Sequence, residues 1–345
     1  MGGKALKKTP TRRYAAAEFE QVAEEILTKL TTFNFESWVV PYYCTKETFG
    51  DIDLVVFTQH QRAREVIVDL FKPNEVVHNG NIMSFDYKEL QVDLIFFSDR
   101  QTAEFAVNYF AFNDLGNFVG RTAHRLGFKF GHDGLWYCFR DPDCKNYMFR
   151  ELLVTLDFDR ALEFLGFDPA RYWQGFDTPE DIFEFATRSE YFDPAQFNLV
   201  NRSCEARKRD RTRAMYQQIL VFLNKKYSLT GDEKTTPVNR DEHLQRAADR
   251  FPGFARRLEQ ARKDFTELKK FKANFNGDNY STWFNLTGRG LGELMARHRE
   301  YFEHHSLRKW IGTLSPASFE AVARTIEETL QHEISQNATP TDSVP

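Results

Sequence analysis

Two carboxylates two residues apart, Asp51 and Asp53, open the apolar run DIDLVVF, and a third, Asp93, stands inside LQVDLIFF. Side chains two apart on a strand project from one face, so Asp51 and Asp53 can grip the same metal ions. An aspartate within so apolar a run as LQVDLIFF is costly unless it is exposed, hydrogen-bonded or metal-bound. Three carboxylates converging from adjacent strands supply hard oxygen ligands for two divalent ions, an arrangement suited to moving nucleotidyl or phosphoryl groups. Such metal-assisted substitution requires no serine or cysteine nucleophile. Gly50, just before the pair, allows close backbone approach to a phosphate or an unusual dihedral; the plainer reading is a turn glycine.

The elements that must position these residues follow from the hydrophobic spacing. AAAEFEQVAEEILTKL predicts a helix over 15–30 that packs on a sheet beginning around Ser37 to Tyr43. A short helix is expected over 60–70, then a turn at Asn79, Gly80 and Asn81 and two strands, the second carrying Asp93. On that strand Val92, Leu94 and Phe96 share one face, and Gln91, Asp93 and Ile95 the other.

Beyond Asn198 the composition shifts. NRSCEARKRDRTRAMYQQILVFLNKKY carries Arg202, Arg207, Lys208, Arg209, Arg211, Arg213, Lys225 and Lys226 against Glu205 and Asp210. On a helix these form a basic band beside an apolar strip of Met215, Ile219, Val221 and Phe222, able to track a phosphate backbone or simply to face solvent. A polar linker over 228–241, Arg/Lys-rich helices over 242–274 and a final helix around 316–334 complete the reading. His298, His304 and His305 do not share one ligand face and are expected on a solvated or nucleic-acid-facing helix.

With 345 residues, 41% hydrophobic and 15% aromatic, the chain is long enough for two or three domains. The net charge of −4 neither requires nor excludes a nucleic-acid partner. Cys44, Cys138, Cys144 and Cys204 lack a repeated CxxC pattern and fit reduced thiols. The basic start MGGKALKKTPTRR leads into no apolar signal segment, and no run reaches the roughly 18 residues of a bilayer span. A soluble cytoplasmic protein with no membrane partner is the expectation.

Four segments in order, KETFGDIDLVV (46–56), VDLIFF (92–97), YFAFNDLGNFVGRTAHRLGFKFGHDGLW (109–136) and DTPEDIFEFATRSEYFDP (177–194), resemble the nucleotidyltransferase superfamily, and within it the family X, DNA polymerase beta-like branch. The resemblance implies an α+β fold: a palm with a mixed sheet, a small α/β thumb-like domain on the nascent base pair, and here an appended all-helical domain. The boundaries expected are a flexible basic start at 1–14, a catalytic palm at 15–105, a nascent-base-pair-binding domain at 106–198, a helical nucleic-acid-binding domain at 199–335 and a flexible tail at 336–345. It further implies that Asp51, Asp53 and Asp93 hold two Mg²⁺ ions, with Mn²⁺ as an alternative. Tyr109 and Phe110 then lie near the incoming sugar, Asp114 and Asn117 face the incoming base, and Arg121 lies on the template side; apart from the resemblance, the basic band offers Arg207, Lys208, Arg209, Arg211 and Arg213 as nucleic-acid contacts. TGRGLGELM is faintly similar to the helical tail of transfer-RNA nucleotidyltransferases.

Three departures bear on the chemistry. Where the family has a Gly-Ser pair and an arginine for the phosphates, this chain has Val40, Pro41 and Cys44, so Lys46 or an arginine elsewhere must serve. The Thr-Gly turn of the family is Ala111-Phe112 here, which restricts the backbone and calls for local compensation. With few residues ahead of the palm helix, a lyase-type domain is not expected. The expected activity is transfer from a nucleoside triphosphate to the 3′-hydroxyl of a DNA primer-template or an RNA end. Template-independent terminal addition and a degenerate palm that only binds nucleic acid are the alternatives.

Overall fold

The computed structural model describes residues 5–140 and 149–337 and is an α+β protein built on a mixed sheet. The strand β1 (Tyr14–Ala15) leads into α1 (Ala16–Thr32), followed by β2 (Glu36–Val39), β3 (Thr48–Phe49), β4 (Asp51–Phe57) and α2 (Ala63–Phe71). Next come β5 (Val76–Asn79), β6 (Ile82–Tyr87) and β7 (Leu90–Phe97), then α3 (Arg100–Phe110) and α4 (Leu115–Leu126). A three-stranded antiparallel sheet of β8 (Phe128–Gly131), β9 (Gly134–Arg140) and β10 (Phe149–Thr155) precedes α5 (Phe158–Phe164), α6 (Pro169–Trp173) and α7 (Pro179–Ala186). The remaining helices are α8 (Cys204–Asp210), α9 (Ala214–Tyr227), α10 (Arg240–Arg250), α11 (Phe254–Asn274), α12 (Gly277–Phe284), α13 (Gly288–His304), α14 (Arg308–Ile311) and α15 (Pro316–Asn337).

The main sheet has the order β2-β4-β7-β6-β5, and only its central pair, β4 and β7, is parallel. Alternation along that pair makes two cores. Ile52, Leu54, Val56, Val92 and Leu94 pack against Phe19, Val22, Ile26 and Leu30 of α1 and Ile67 and Phe71 of α2. On the opposite face Val55 meets Ala103 and Ala106 of α3. Asp51 and Asp53 share that second face but stand at the strand's amino-terminal end, where it opens on a cleft. The turn into α3 is fixed by Asp99, whose carboxylate caps the helix by accepting from the Thr102 amide at 2.7 Å.

Residues 5–13, expected to be loose, are tied to the sheet. Leu6 is buried, the amides of Lys7, Lys8 and Thr9 donate to the Glu75 carboxylate at 2.8–3.0 Å, and Arg13 bonds Thr48. A carboxylate that collects three backbone donors leaves the strand-flanking segment little freedom.

The chain divides into compact units at 1–255 and 256–345, rather than at residue 199. The reason lies in the basic segment, which forms two helices instead of one and packs on α4: the Phe118 and Tyr216 rings lie 6.4 Å apart, tilted by 49°, and Asp210, the last residue of α8, is almost fully buried. Met215 and Ile219 are buried as the apolar spacing predicts, but Val221 is exposed and Leu223 takes its place inside. In the second unit Phe271, Phe275, Tyr280, Leu294, Phe302 and Phe319 form the core. His298, expected on a wet face, is fully buried there between Tyr280 (3.0 Å) and Glu327 (3.1 Å). His304 and His305 are exposed. The tail beyond 337 and Cys144 lie outside the described residues; Cys44 and Cys204 are free thiols. No helix among the described residues is long and apolar enough to cross a membrane.

Candidate functional site

Parallel pairing sets Asp53 beside Asp93 and Asp51 beside Gln91. Asp51, Asp53 and Asp93 each present a carboxylate oxygen within 4.8 Å of the others, which brings the three sequence-predicted ligands into one cluster. Gln91, on the same face of β7, donates its side-chain amide to both Asp93 oxygens at 2.9 and 3.0 Å. The Gln91 carbonyl in turn accepts from the amides of Ala5 (2.9 Å) and Leu6 (3.4 Å). Ser84, opposite Asp93 on β6, adds a further hydrogen bond.

Electrostatics identify the cluster as short of positive charge. Asp53 is pushed up to about 7, first by loss of solvation and then by Asp51 and Asp93, with Lys46 opposing. Asp53 is open to solvent by surface area; water can touch the carboxylate, but protein replaces most of its solvation shell. Burial raises Asp93 as well, against the hydrogen bonds from Ser84 and Gln91. Three crowded carboxylates, with Asp53 and Asp93 raised in proton affinity and only oxygen donors offered, fit a hard divalent cation such as Mg²⁺.

The cleft around the cluster measures about 450 Å³ and is lined by Val40, Pro41, Lys46, Phe110, Asp114 and Arg213 among others. Lys46 is half-buried with its ammonium 4.5 Å from the Phe49 ring, and burial lowers its proton affinity against the pull of Asp51 and Asp53. Gly50 has no positive φ, so its backbone makes no demand for glycine. The backbone donors beside Pro41 are spent elsewhere: the amides of Cys44 and Thr45 reach the carbonyls of Phe176 (3.0 Å) and Asp177 (2.9 Å). The left-handed turn after Ala111 survives without glycine because Phe112 and Asn113 take φ of 56° and 63°. Its compensation is burial of the Phe112 ring against Tyr172 and Phe176 and an amide bond to the Pro41 carbonyl at 2.8 Å.

The nucleotide-contact set is divided. Phe110 and Asp114 line the acidic cleft, whereas Tyr109, Asn117 and Arg121 line a neighbouring cavity of about 560 Å³. Asp114 is held by Arg213 at 2.6 Å, with Asn117 at 3.4 Å. Arg121 is not an exposed nucleic-acid contact: its guanidinium pairs with Asp210 at 3.0 Å, the two side chains are 4% and 1% exposed, and Phe197 and Tyr216 cover it. Arg202 and Arg209 also draw on Asp210, at 3.2 and 3.4 Å. Of the remaining band, Lys208 and Arg211 are exposed and Arg207 is half-buried.

Sequence reasoning placed Gln91 on the Asp93 face but missed its role, for which the two-residue spacing was the available signal. Comparison with protein-family models and with curated proteins gives no match for this chain.

Proposed function

We propose that the protein is a metal-dependent nucleotidyltransferase of the polymerase beta-like kind, moving a nucleoside monophosphate from its triphosphate to a nucleic-acid 3′-hydroxyl. The observation that carries this reading is the convergence of Asp51, Asp53 and Asp93 on the parallel β4–β7 pair, within 4.8 Å of one another, with Asp51 and Asp53 lining a cleft. Asp51 and Asp53 would hold both of two Mg²⁺ ions and Asp93 one of them; such ions supply charge neutralisation at the phosphates and lower the hydroxyl's pKa.

The hydroxyl oxygen attacks the α-phosphorus, the bond to pyrophosphate breaks, and the hydroxyl proton passes to a base. Asp93, oriented by Gln91 and raised in proton affinity, is the base this chain offers. Lys46, beside Asp51 and Asp53, is with Arg213 one of the cations lining the cleft, and it takes the place of the missing phosphate cradle. Addition without a template is favoured over templated synthesis by one observation, the burial of Arg121 against Asp210.

The test is extension of labelled DNA and RNA primers, with and without template, by each ribo- and deoxynucleoside triphosphate in Mg²⁺. Extension that is lost in Asp51→Ala supports the reading, and template dependence separates its two forms. Active-site-independent extension, or none across these substrates while nucleic acid still binds, overturns it in favour of a binding module.

A further inference from the structure

The cavity beside the acidic cleft has a charge imbalance that nothing in the proposed transfer chemistry explains. Among its fifteen lining residues are Arg121, Arg125, Arg202 and Arg240 and no carboxylate. Two buried acids behind the wall offset part of that charge. Asp210 serves Arg121 and Arg202 but also Arg209, and Asp193 stands 3.6 Å from Arg125. Arg240 directs Nη2 and Nε to the carbonyls of His124 and Arg125 at 3.2 and 3.3 Å, two of its five N–H donors, and those carbonyls bring no formal charge. Positive charge therefore exceeds negative around the space.

Hydrogen bonding shows a second deficit at the same place. Gln196 is 7% exposed, and among the described residues neither its amide nitrogen nor its carbonyl oxygen has a partner. Arg121 is 5% exposed, and its Nε and Nη1 are likewise unpaired. Buried polar atoms are almost always satisfied, so unpaired donors grouped at a cationic cavity mark a place for an acceptor-rich ligand. A phosphate offers several acceptor oxygens and negative charge together, and guanidinium forks match that geometry.

We propose that this cavity, walled by Arg121, Arg125, Arg202, Arg240 and Gln196, binds a phosphate-bearing anion without a metal ion. It is a site apart from Asp51, Asp53 and Asp93, so it stands whether or not the transferase reading does. The phosphate comes either from a nucleic-acid strand or from a free oxyanion such as pyrophosphate, and the same donors serve both.

The full chain is titrated calorimetrically with inorganic pyrophosphate in excess EDTA. Binding is expected in the parent protein and in Asp53→Asn, and is weakened at least about tenfold in Arg240→Gln and in Gln196→Met. Gln196→Met removes an unpaired buried amide while keeping side-chain length, so its melting temperature holds or rises and lost binding is not lost folding. No binding by the parent protein, or binding untouched by both substitutions, overturns the proposal. Displacement of pyrophosphate by a single-stranded oligodeoxynucleotide supports a strand phosphate as occupant; pyrophosphate binding that the oligonucleotide leaves intact supports a free oxyanion.

Discussion

Replacing Asp53 by Asn should stabilise the metal-free protein at pH 8. Folding raises the proton affinity of this carboxyl from its ordinary 3.8 to about 7. The native state therefore takes up a proton that the unfolded state releases, and the group opposes folding once both are ionised. At about 1.4 kcal/mol for each tenfold change in affinity, the ceiling is about 4 kcal/mol. Asp53 is exposed by area, so solvent screening halves this to about 2 kcal/mol. The penalty is absent below about pH 4, grows as pH rises and is complete above about 7. Asn cannot ionise and escapes it. In a unit of 255 residues, 2 kcal/mol moves the melting temperature by about 4–8 °C. Thermal denaturation in EDTA at pH 8 should show Asp53→Asn ahead by that margin, with the lead shrinking toward pH 4. Excess Mg²⁺ should raise the parent protein and not the variant. A variant less stable than its parent at pH 8, or a lead independent of pH, would refute the charge-crowding account.

Three further outcomes are expected. Asp210→Ala strands Arg121 in a buried setting and should cost about 3–5 kcal/mol in urea denaturation, partly recovered by adding Arg121→Met; a loss below 1 kcal/mol speaks against the pair as a linchpin. Gln91→Ala frees Asp93 from its orienting amide and should weaken Mn²⁺ binding about tenfold by electron paramagnetic titration, and unchanged binding would remove Gln91 from the positioning role. Burial holds His298 below its ordinary 6.5 despite Glu327. Its unfolded state thus binds the proton more readily, so stability of the 256–345 unit is full above 6.5 and falls as pH drops below it. A ring titration by NMR at or above 6.5 would contradict this.

Much of the sheet could be read from its alternation. Ile52, Leu54 and Val56 against Asp51 and Asp53, and Val92 and Leu94 against Gln91 and Asp93, announce two faces, and the structure puts the apolar set inside. The helix at 16–32 was equally plain, because Phe19, Val22, Ile26 and Leu30 recur at helical spacing. Long-range pairing was not legible. Nothing local tells Arg121 that its partner is Asp210, 89 positions away, or tells a basic stretch that one of its acids will be its buried centre. The fate of His298 was hidden for the same reason: an isolated histidine looks alike on a wet face and inside a core until Tyr280 and Glu327 arrive. At Phe112 the lost glycine signalled strain, but the aromatic packing that absorbs it comes from residues 172 and 176.

The bond from Ala5 to Gln91 spans 86 positions and ends one side chain away from Asp93. During synthesis the segment that steadies this carboxylate is made well before β7, and it has nothing to dock on until β7 has been made and paired. Closing so long a loop is entropically costly before the sheet exists. The support of the acidic cluster is thus completed late in folding, and a chain with its sheet assembled but the segment around Ala5 undocked would be compact with Gln91 still lacking those backbone donors.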